Sequence, residues 1–185
     1  EQSGLPAFSR IRPSHIEPAI RAVLDESRAR VEEILAAAQP PRWDNLVMPL
    51  EALDHRLARA WAPVGHLNAV QNTEALRKAY NACLPLLSDY SSELGQHEGL
   101  FHAFERVLAE QGDALLPGQR KILEDALRDF RLAGVALAPA PRQRFRAIMQ
   151  ELSTLGAKFE ENVLDATQSW RLHVNPSPPQ SSDAP

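Results

Sequence analysis

The chain has 185 residues, of which 44% are hydrophobic and 24% charged, a balance typical of a globular chain rather than a disordered one. Its formal net charge of -4 argues against the basic surface of a nucleic-acid-binding protein. A single cysteine, Cys83, excludes an internal disulfide and a cysteine-rich zinc or iron–sulfur site. No apolar run reaches the ~18 residues of a membrane-spanning helix, so no membrane span is predicted.

The chain is predicted to open with an extended arm over residues 1–13. Pro6 and Pro13 favour extended backbone at the residues that precede them. Phe8 and Ile11 are the apolar side chains expected to hold this arm against the body of the domain.

The first helix is predicted to begin at Ser14. Ser14 and Glu17 match the S-x-x-E capping box, in which the two side chains bond free amides of the first turn. Pro40 and Pro41 are predicted to end the helix. Its apolar residues recur at helical spacing and are Ile16, Ile20, Val23, Leu24, Val31 and Leu35.

The second and third helices both carry interior prolines. The second is predicted over about residues 44–71, as one bent helix or as two, because Pro49 and Pro63 interrupt its pattern. The third is predicted to begin after Thr73, a favourable N-cap residue, and to bend at Pro85 before Gly95 ends it.

Three further helices complete the pattern. A short fourth helix is predicted over about residues 97–110, and a fifth begins at Pro117 and stops at Gly134. A long sixth helix follows the prolines at 139 and 141. Its apolar stripe is expected to pack against other long helices and consists of Phe145, Ile148, Met149, Leu152, Leu155, Phe159, Val163, Ala166 and Trp170.

These elements define the predicted fold class. Residues 14–174 are expected to form one all-α domain, a bundle of about six long antiparallel helices that are partly kinked at prolines. Residues 175–185 contain four prolines and three serines and no large apolar side chain, so this tail is predicted to be disordered. The aromatic residues on the helical stripes are expected to pack in the core and are Trp61, Phe130, Phe159 and Trp170.

The pattern closest to a metal site is His97-Glu98-Gly99-Leu100-Phe101-His102. Zinc peptidases use H-E-x-x-H because two histidines four residues apart lie on one helical face. Here the second histidine follows five residues after the first. A regular helix rotates it by about 140° from the first, so both cannot bind one ion. A capped, solvated helix start is therefore favoured over a metal site.

The remaining candidates have ordinary structural explanations. Cys83 lies on an apolar stripe and is predicted to be a buried, unreactive thiol. Adjacent carboxylates point apart on a helix, and Arg128 and Arg131 alternate with acidic residues and are expected to form ion pairs. The best anion-contact candidate is the set of Arg142, Arg144 and Arg146. The other histidines are scattered, and a metalloenzyme built on them needs convergence in the fold; they are His15, His55, His66 and His173.

Several stretches, taken together and in register, resemble the N-terminal region of the oligopeptidase A branch of the thimet-oligopeptidase-like zinc metallopeptidases. The resemblance covers roughly residues 5–170. The stretches are LPAFSRIRPSHIEPAI (5–20), WDNL (43–46), PVGHLNAV (63–70), LPLLSDY (84–90), GQHEGL (95–100), ALRDF (126–130), LG (155–156) and NVLDAT (162–167).

The resemblance implies an almost entirely helical domain that forms one wall of a deep channel, which admits short peptides and excludes folded proteins. Members of the family hold one zinc ion through an H-E-x-x-H helix and a further glutamate, all C-terminal to the matched region. This sequence contains no H-E-x-x-H, so no catalytic, metal-binding or cofactor-binding residue is assigned to it. The chain on its own is expected to be inactive, whether it is a piece of such an enzyme or an independent short protein, and a cytoplasmic location is expected.

The implied partners are the catalytic portion of the peptidase and short peptides, with no nucleic acid and no membrane. The alternative is a free-standing helical interaction module without peptidase activity. In that case the apolar surface that normally meets the catalytic half would be exposed, and self-association through it is expected.

Overall fold

The computed structural model describes residues 5–37 and 39–172 of the chain. Over these ranges it has six α-helices and no β-strand, which confirms the predicted all-α fold class. The predicted disordered tail, residues 175–185, lies outside the described residues. The helices are α1 (Pro13–Ala36), α2 (Met48–Gln71), α3 (Glu74–Gly95), α4 (Glu98–Gln111), α5 (Pro117–Leu132) and α6 (Pro139–Ser169).

The described part of the N-terminal arm, residues 5–12, is not extended throughout. Phe8–Arg10 form one turn of 3-10 helix, in which the amide of Arg10 donates to the carbonyl of Ala7 at 2.9 Å. Ile11 packs against the core, and the Phe8 ring lies 5.3 Å from the His66 ring on α2. Two apolar contacts thus hold the arm against α1 and α2.

The start of α1 differs from the prediction. The helix begins at Pro13, and the N-cap residue Arg12 makes no side-chain capping bond. Proline fits the first helical position because its missing amide has no intrahelical partner there. The predicted capping box is therefore wrong: Ser14 lies inside the first turn, and the Glu17 carboxylate accepts from Arg21 at 2.7 Å.

The second predicted helix forms as one continuous element. A five-residue π-helical turn, Trp43–Val47, leads directly into α2, and the Asn45 side chain accepts from the Arg42 amide at 2.7 Å. Pro49 lies in the first turn of α2, where its missing amide interrupts nothing, and Pro63 lies inside the unbroken helix. Bends at the interior prolines of α2 and α3 stay predictions.

Several predicted helix boundaries are confirmed. The Thr73 hydroxyl accepts from the Leu76 amide at 3.3 Å and caps α3, which ends at Gly95. Pro117 is the first residue of α5. Gly134 follows the end of α5 with φ of +85°, a left-handed conformation that glycine adopts without strain. These residues fix where the helices turn.

The core consists of two apolar clusters that share α1. One lies between α1, α2 and α3 and contains Ile16, Ile20, Leu24, Val64, Leu67, Leu76, Cys83 and Tyr90. The other lies between the end of α1, the π-helical turn, α4 and α5 and contains Val31, Leu46, Val47, Leu100, Phe104, Val107, Leu123 and Leu127. Trp61 stacks on Tyr80 and Phe130 packs edge-on against Phe104, so both aromatic residues pack as predicted.

The sixth helix departs from the prediction. No residue of α6 is buried, and all but Phe145 of the large apolar side chains expected to face inward are exposed. Leu152 and Leu155 are 56% and 57% exposed, and Phe159 is 69% exposed. Trp170, just beyond the helix, is 70% exposed. The amphipathic pattern identified a helix correctly, but the apolar side of that helix is not the side that packs on the bundle.

Candidate functional site

The histidine of the apparent metal motif has a structural role. The Nδ1 atom of His97 accepts from the Leu100 amide at 3.2 Å and caps the N-terminus of α4. Its Nε2 atom lies 3.6 Å from a carboxylate oxygen of Glu32 on α1. Both ring nitrogens therefore have protein partners, and the side chain links α4 to α1.

The other two residues of the motif point elsewhere. The Nδ1 atom of His102 lies 3.2 Å from the Glu105 carboxylate, one turn along α4. Arg142 donates to Glu98 at 2.6 Å, and this hydrogen bond lowers the pKa of that carboxyl below its usual value. Within residues 5–37 and 39–172, no three His, Cys, Asp or Glu side chains converge in a way that could hold a metal ion.

Cys83 is fully buried in the core cluster between α1, α2 and α3. Burial raises the pKa of its thiol to about 11, because the thiolate would lose its hydration there. The protonated thiol is a poor nucleophile, so the side chain acts as a small apolar core residue.

Native Cys83 is expected to resist alkylation by iodoacetamide at pH 8 and to react fully once denaturant unfolds the chain. Both effects follow from burial, which limits access and raises the thiol pKa. The measurement is the alkylated fraction over time by mass spectrometry. Rapid labelling of the native chain would contradict a core position for this residue.

The arginines proposed as an anion-contact set are used in contacts within the fold. Arg142 donates to Glu98 and to the carbonyl of Val135 at 2.9 Å. Arg146 donates to the buried Gln96 side chain at 2.8 Å. Arg128, which was predicted to form an ion pair, bonds the Asp125 carboxylate at 2.7 Å. Two of the three arginines of the predicted anion-contact set, Arg142 and Arg146, are therefore engaged within the fold.

Polar contacts attach α6 to the bundle along most of its length. Beyond those of Arg142 and Arg146, the Gln150 amide donates to Asp89 at 2.7 Å, and the Asn81 amide donates to Glu161 at 2.7 Å. Near its end, Asp165 accepts two hydrogen bonds from Arg77, at 2.6 and 3.0 Å. These bonds lower the pKa of Asp165, so the pair stabilises the fold at neutral pH and is lost on acidification through that lowered pKa.

The opposite side of α6 carries a continuous apolar surface, which we call the α6 stripe: Ile148, Met149, Leu152, Leu155, Phe159 and Val163. Leu152 follows Gln150 by two residues, which separates them by about 160° around the helix at ~100° per residue. The exposed fractions of the stripe run from 39% at Ile148 and Met149 to 69% at Phe159. A cleft of about 400 Å³ between α6, α2 and α3 borders its C-terminal half. The α6 stripe is the strongest candidate for a contact surface.

Comparison with known proteins places the sequence of this helical domain in a family. The model of the family "Neurolysin/Thimet oligopeptidase, N-terminal domain" matches residues 20–142, which cover α2 to α5 and most of α1. The chain belongs to this oligopeptidase family. The resemblance seen in the sequence is thereby confirmed over residues 20–142.

The similar proteins in this oligopeptidase family are much longer. Oligopeptidase A of Haemophilus influenzae is 45% identical over 170 residues, 90% of this chain and 24% of that protein. Oligopeptidase A of Escherichia coli is 44% identical over 169 residues, 90% of this chain and 25% of that protein. A probable cytosolic oligopeptidase A of Arabidopsis thaliana is 34% identical over 166 residues, 89% of this chain and 24% of that protein. The chain thus spans about a quarter of these relatives.

The exposure of the α6 stripe is the feature that sequence reasoning missed. A second signal on α6 could have identified it, because Arg142, Arg146 and Gln150 recur every four residues and form a polar face that can bond a neighbouring helix. No helix in the described parts of the chain is long and apolar enough to cross a membrane.

Proposed function

We propose that this chain is the non-catalytic N-terminal helical domain of an oligopeptidase A-like zinc metallopeptidase. In that enzyme it forms one wall of the channel that restricts access to short peptides. The observation that carries the proposal is the α6 stripe, an apolar surface that the described residues of this domain leave exposed. Its occupant is the remaining portion of the peptidase.

Energetics support an occupied stripe. Full burial of a large apolar side chain stabilises a fold by roughly 1.5–3 kcal/mol, so six such residues represent a substantial loss while they face water. Contiguous apolar patches on a protein surface usually mark sites of contact with another protein surface. The polar attachment on the opposite side keeps α6 on the bundle and its stripe outward.

The zinc of the proposed enzyme comes from outside the described residues. Their His, Cys, Asp and Glu side chains do not fit a zinc site, and the one apparent motif has its histidines five residues apart. The role of this domain is therefore to shape and limit the channel, and chemistry belongs to the remaining portion. A cytoplasmic location fits the relative that is named cytosolic.

A chimera tests the channel-wall role. The matched N-terminal part of Escherichia coli oligopeptidase A, 44% identical over 169 residues, is replaced by this chain. The chimera is expected to cleave a short fluorogenic peptide and to leave a folded protein substrate intact. The 185-residue chain alone is expected to cleave neither, with or without added zinc.

Two controls make the result specific. A chimera with an unrelated helical bundle in the same position is expected to be inactive or to lose the size restriction. An inactive chimera with this chain, in spite of correct folding by circular dichroism, would contradict the proposal. Cleavage by the isolated chain that a chelator abolishes would contradict its non-catalytic role.

The α6 stripe also favours a second candidate function, a free-standing interaction module that self-associates. In this case two copies would cover each other's stripes, and light scattering would report a dimer of the 20.5 kDa chain. A monomer at high concentration would rule out self-association and leave the peptidase proposal as the explanation of the stripe.

A further inference from the structure

A large cleft lies away from α6, between the N-terminal arm, the start of α1 and the second half of α2. Its volume is about 1360 Å³. Peptide and small-molecule sites in proteins occupy clefts of roughly 300–1,000 Å³, so this one offers room for an extended ligand. It is open to solvent, and residues of the arm form part of its lining.

The lining of this cleft has one sign of charge. None of the residues that the arm, α1 and α2 contribute to it is acidic, although the whole chain has 24 acidic residues and a formal net charge of -4. Two smaller clefts each include carboxylates, Glu160 and Glu161 in one and Asp54 among others in the second. The basic and imidazole side chains of the large cleft are Arg10, Arg12, Arg59, His15, His55 and His66.

Two of these arginines have no ion-pair partner within the described ranges. Arg10 and Arg12 lie on the arm, are exposed, and make no salt bridge with any described residue. Arg21 and Arg56, on the helices that line the same cleft, pair with Glu17 and Glu26 instead. The guanidinium groups of the arm are therefore available to an external anion, which an arginine binds through two parallel hydrogen bonds.

The cleft also has an apolar part. Leu5 and Phe8 of the arm are exposed in its lining, and the Phe8 ring lies against the His66 ring. A ligand that matches this surface needs carboxylates near the arginines of the arm and apolar groups beside Leu5 and Phe8. An acidic peptide has both, and inorganic anions have only the first.

We propose that this cleft binds a short acidic peptide segment, with its carboxylates on Arg10 and Arg12 and its apolar side chains against Phe8. Charge complementarity selects this occupant. Nucleic acid is disfavoured, because the net negative charge beyond the cleft repels a long polyanion while a short peptide meets only the cleft. The site is independent of the α6 stripe and of the proposed peptidase role.

Binding can be measured by fluorescence anisotropy with the full 185-residue chain. The probe is a short labelled peptide of alternating glutamate and leucine, and its control has glutamine in place of every glutamate. The acidic peptide is expected to bind and to weaken with added salt, as a screened contact does. Equal binding of the glutamine peptide, or no binding of either, would overturn the proposal.

Imidazole resonances locate the site independently. In an NMR titration with the acidic peptide, the rings of His15, His55 and His66 are expected to shift. His97 and His102, on α4 and outside the lining of the cleft, serve as internal references and are expected to stay in place. Shifts of the α4 histidines instead would place the peptide elsewhere and overturn the assignment.

A matched pair of variants tests the role of the arm. Arg10→Gln with Arg12→Gln is expected to weaken peptide binding by about tenfold, since an exposed arginine–carboxylate contact contributes about two- to fivefold. Arg30→Gln with Arg106→Gln removes the same charge from α1 and α4, outside the lining of the cleft, and is expected to leave affinity unchanged. If both pairs of substitutions weakened peptide binding equally, the loss would follow from net charge alone, and a localised site would be contradicted.

Inorganic phosphate separates peptide recognition from simple anion binding. If phosphate alone displaces the labelled peptide at comparable concentration, the cleft recognises a free anion and the peptide proposal is wrong. If phosphate displaces it only at concentrations at which sodium chloride does the same, phosphate acts by screening alone and the cleft does not recognise a free anion, as the peptide proposal expects. Binding of the arm variants is measured by the same displacement assay.

Discussion

Replacement of Leu123 by alanine is expected to lower the free energy of unfolding by about 3–4 kcal/mol, a large part of the stability of a domain of this size. Leu123 lies on α5, is 0% exposed, and belongs to the core cluster that joins α4 and α5 to the end of α1. Removal of its side chain leaves a cavity, because the surrounding helices can close around it only in part.

The matched control is Leu132→Ala at the end of the same helix. Leu132 is 69% exposed, so the same chemical change is expected to cost less than about 0.5 kcal/mol. Chemical denaturation followed by circular dichroism measures both variants against the parent chain. Similar losses for the two substitutions would contradict the assignment of Leu123 to the core and of Leu132 to the surface.

The elements that the sequence predicts well are those whose cause is local. Thr73 caps α3 because its hydroxyl reaches an amide three residues later, and Pro117 begins α5 because that position needs no amide donor. The start of α1 is the exception. Pro13 and Ser14 both favour a helix start, and the helix begins at Pro13, one residue before the predicted start.

The apolar stripe of α6 does not by itself predict whether it is buried or exposed, because burial depends on what lies opposite. An apolar stripe at helical spacing indicates that a surface covers it, without indicating that the surface belongs to the same stretch of chain. Here the face that contacts α3 is polar, with Gln150 bonded to Asp89 and Asp165 bonded to Arg77. The chain spans about a quarter of its relatives, which accounts for an uncovered stripe under the proposed function.

The cleft between the arm, α1 and α2 could not be predicted from the sequence for a related reason. Arg10 and Arg12 are followed along the chain by Glu17 and precede His66 by more than fifty positions, so no window of sequence contains the cluster. The turn at Phe8–Arg10 and the packing of α2 against the arm and α1 bring these side chains to one cavity. Convergence in the fold, rather than spacing in the sequence, creates the site.

The α6 stripe itself yields the second large expected effect. Leu152→Gln, Leu155→Gln and Phe159→Gln together are expected to change the stability of the isolated chain by less than about 1 kcal/mol, because surface substitutions cost little. In the chimera with Escherichia coli oligopeptidase A, the same three changes are expected to lower the free energy of unfolding by about 5 kcal/mol. Burial of each large apolar side chain contributes roughly 1.5–3 kcal/mol to that free energy. The measurement is thermal and denaturant unfolding of both proteins, together with peptide cleavage by the chimera.

The decisive comparison is between the loss of stability in the isolated chain and the loss in the chimera. A matched control triple, Val70→Gln, Ile122→Gln and Leu132→Gln, changes exposed apolar residues scattered over α2 and α5, and little effect is expected in either protein. A stripe variant that destabilises the isolated chain as much as the chimera would mean that the stripe packs within this domain. One that destabilises neither would leave the stripe without a partner in the peptidase and favour the interaction module. Loss in the chimera alone identifies the stripe as the surface that joins this domain to the rest of the enzyme.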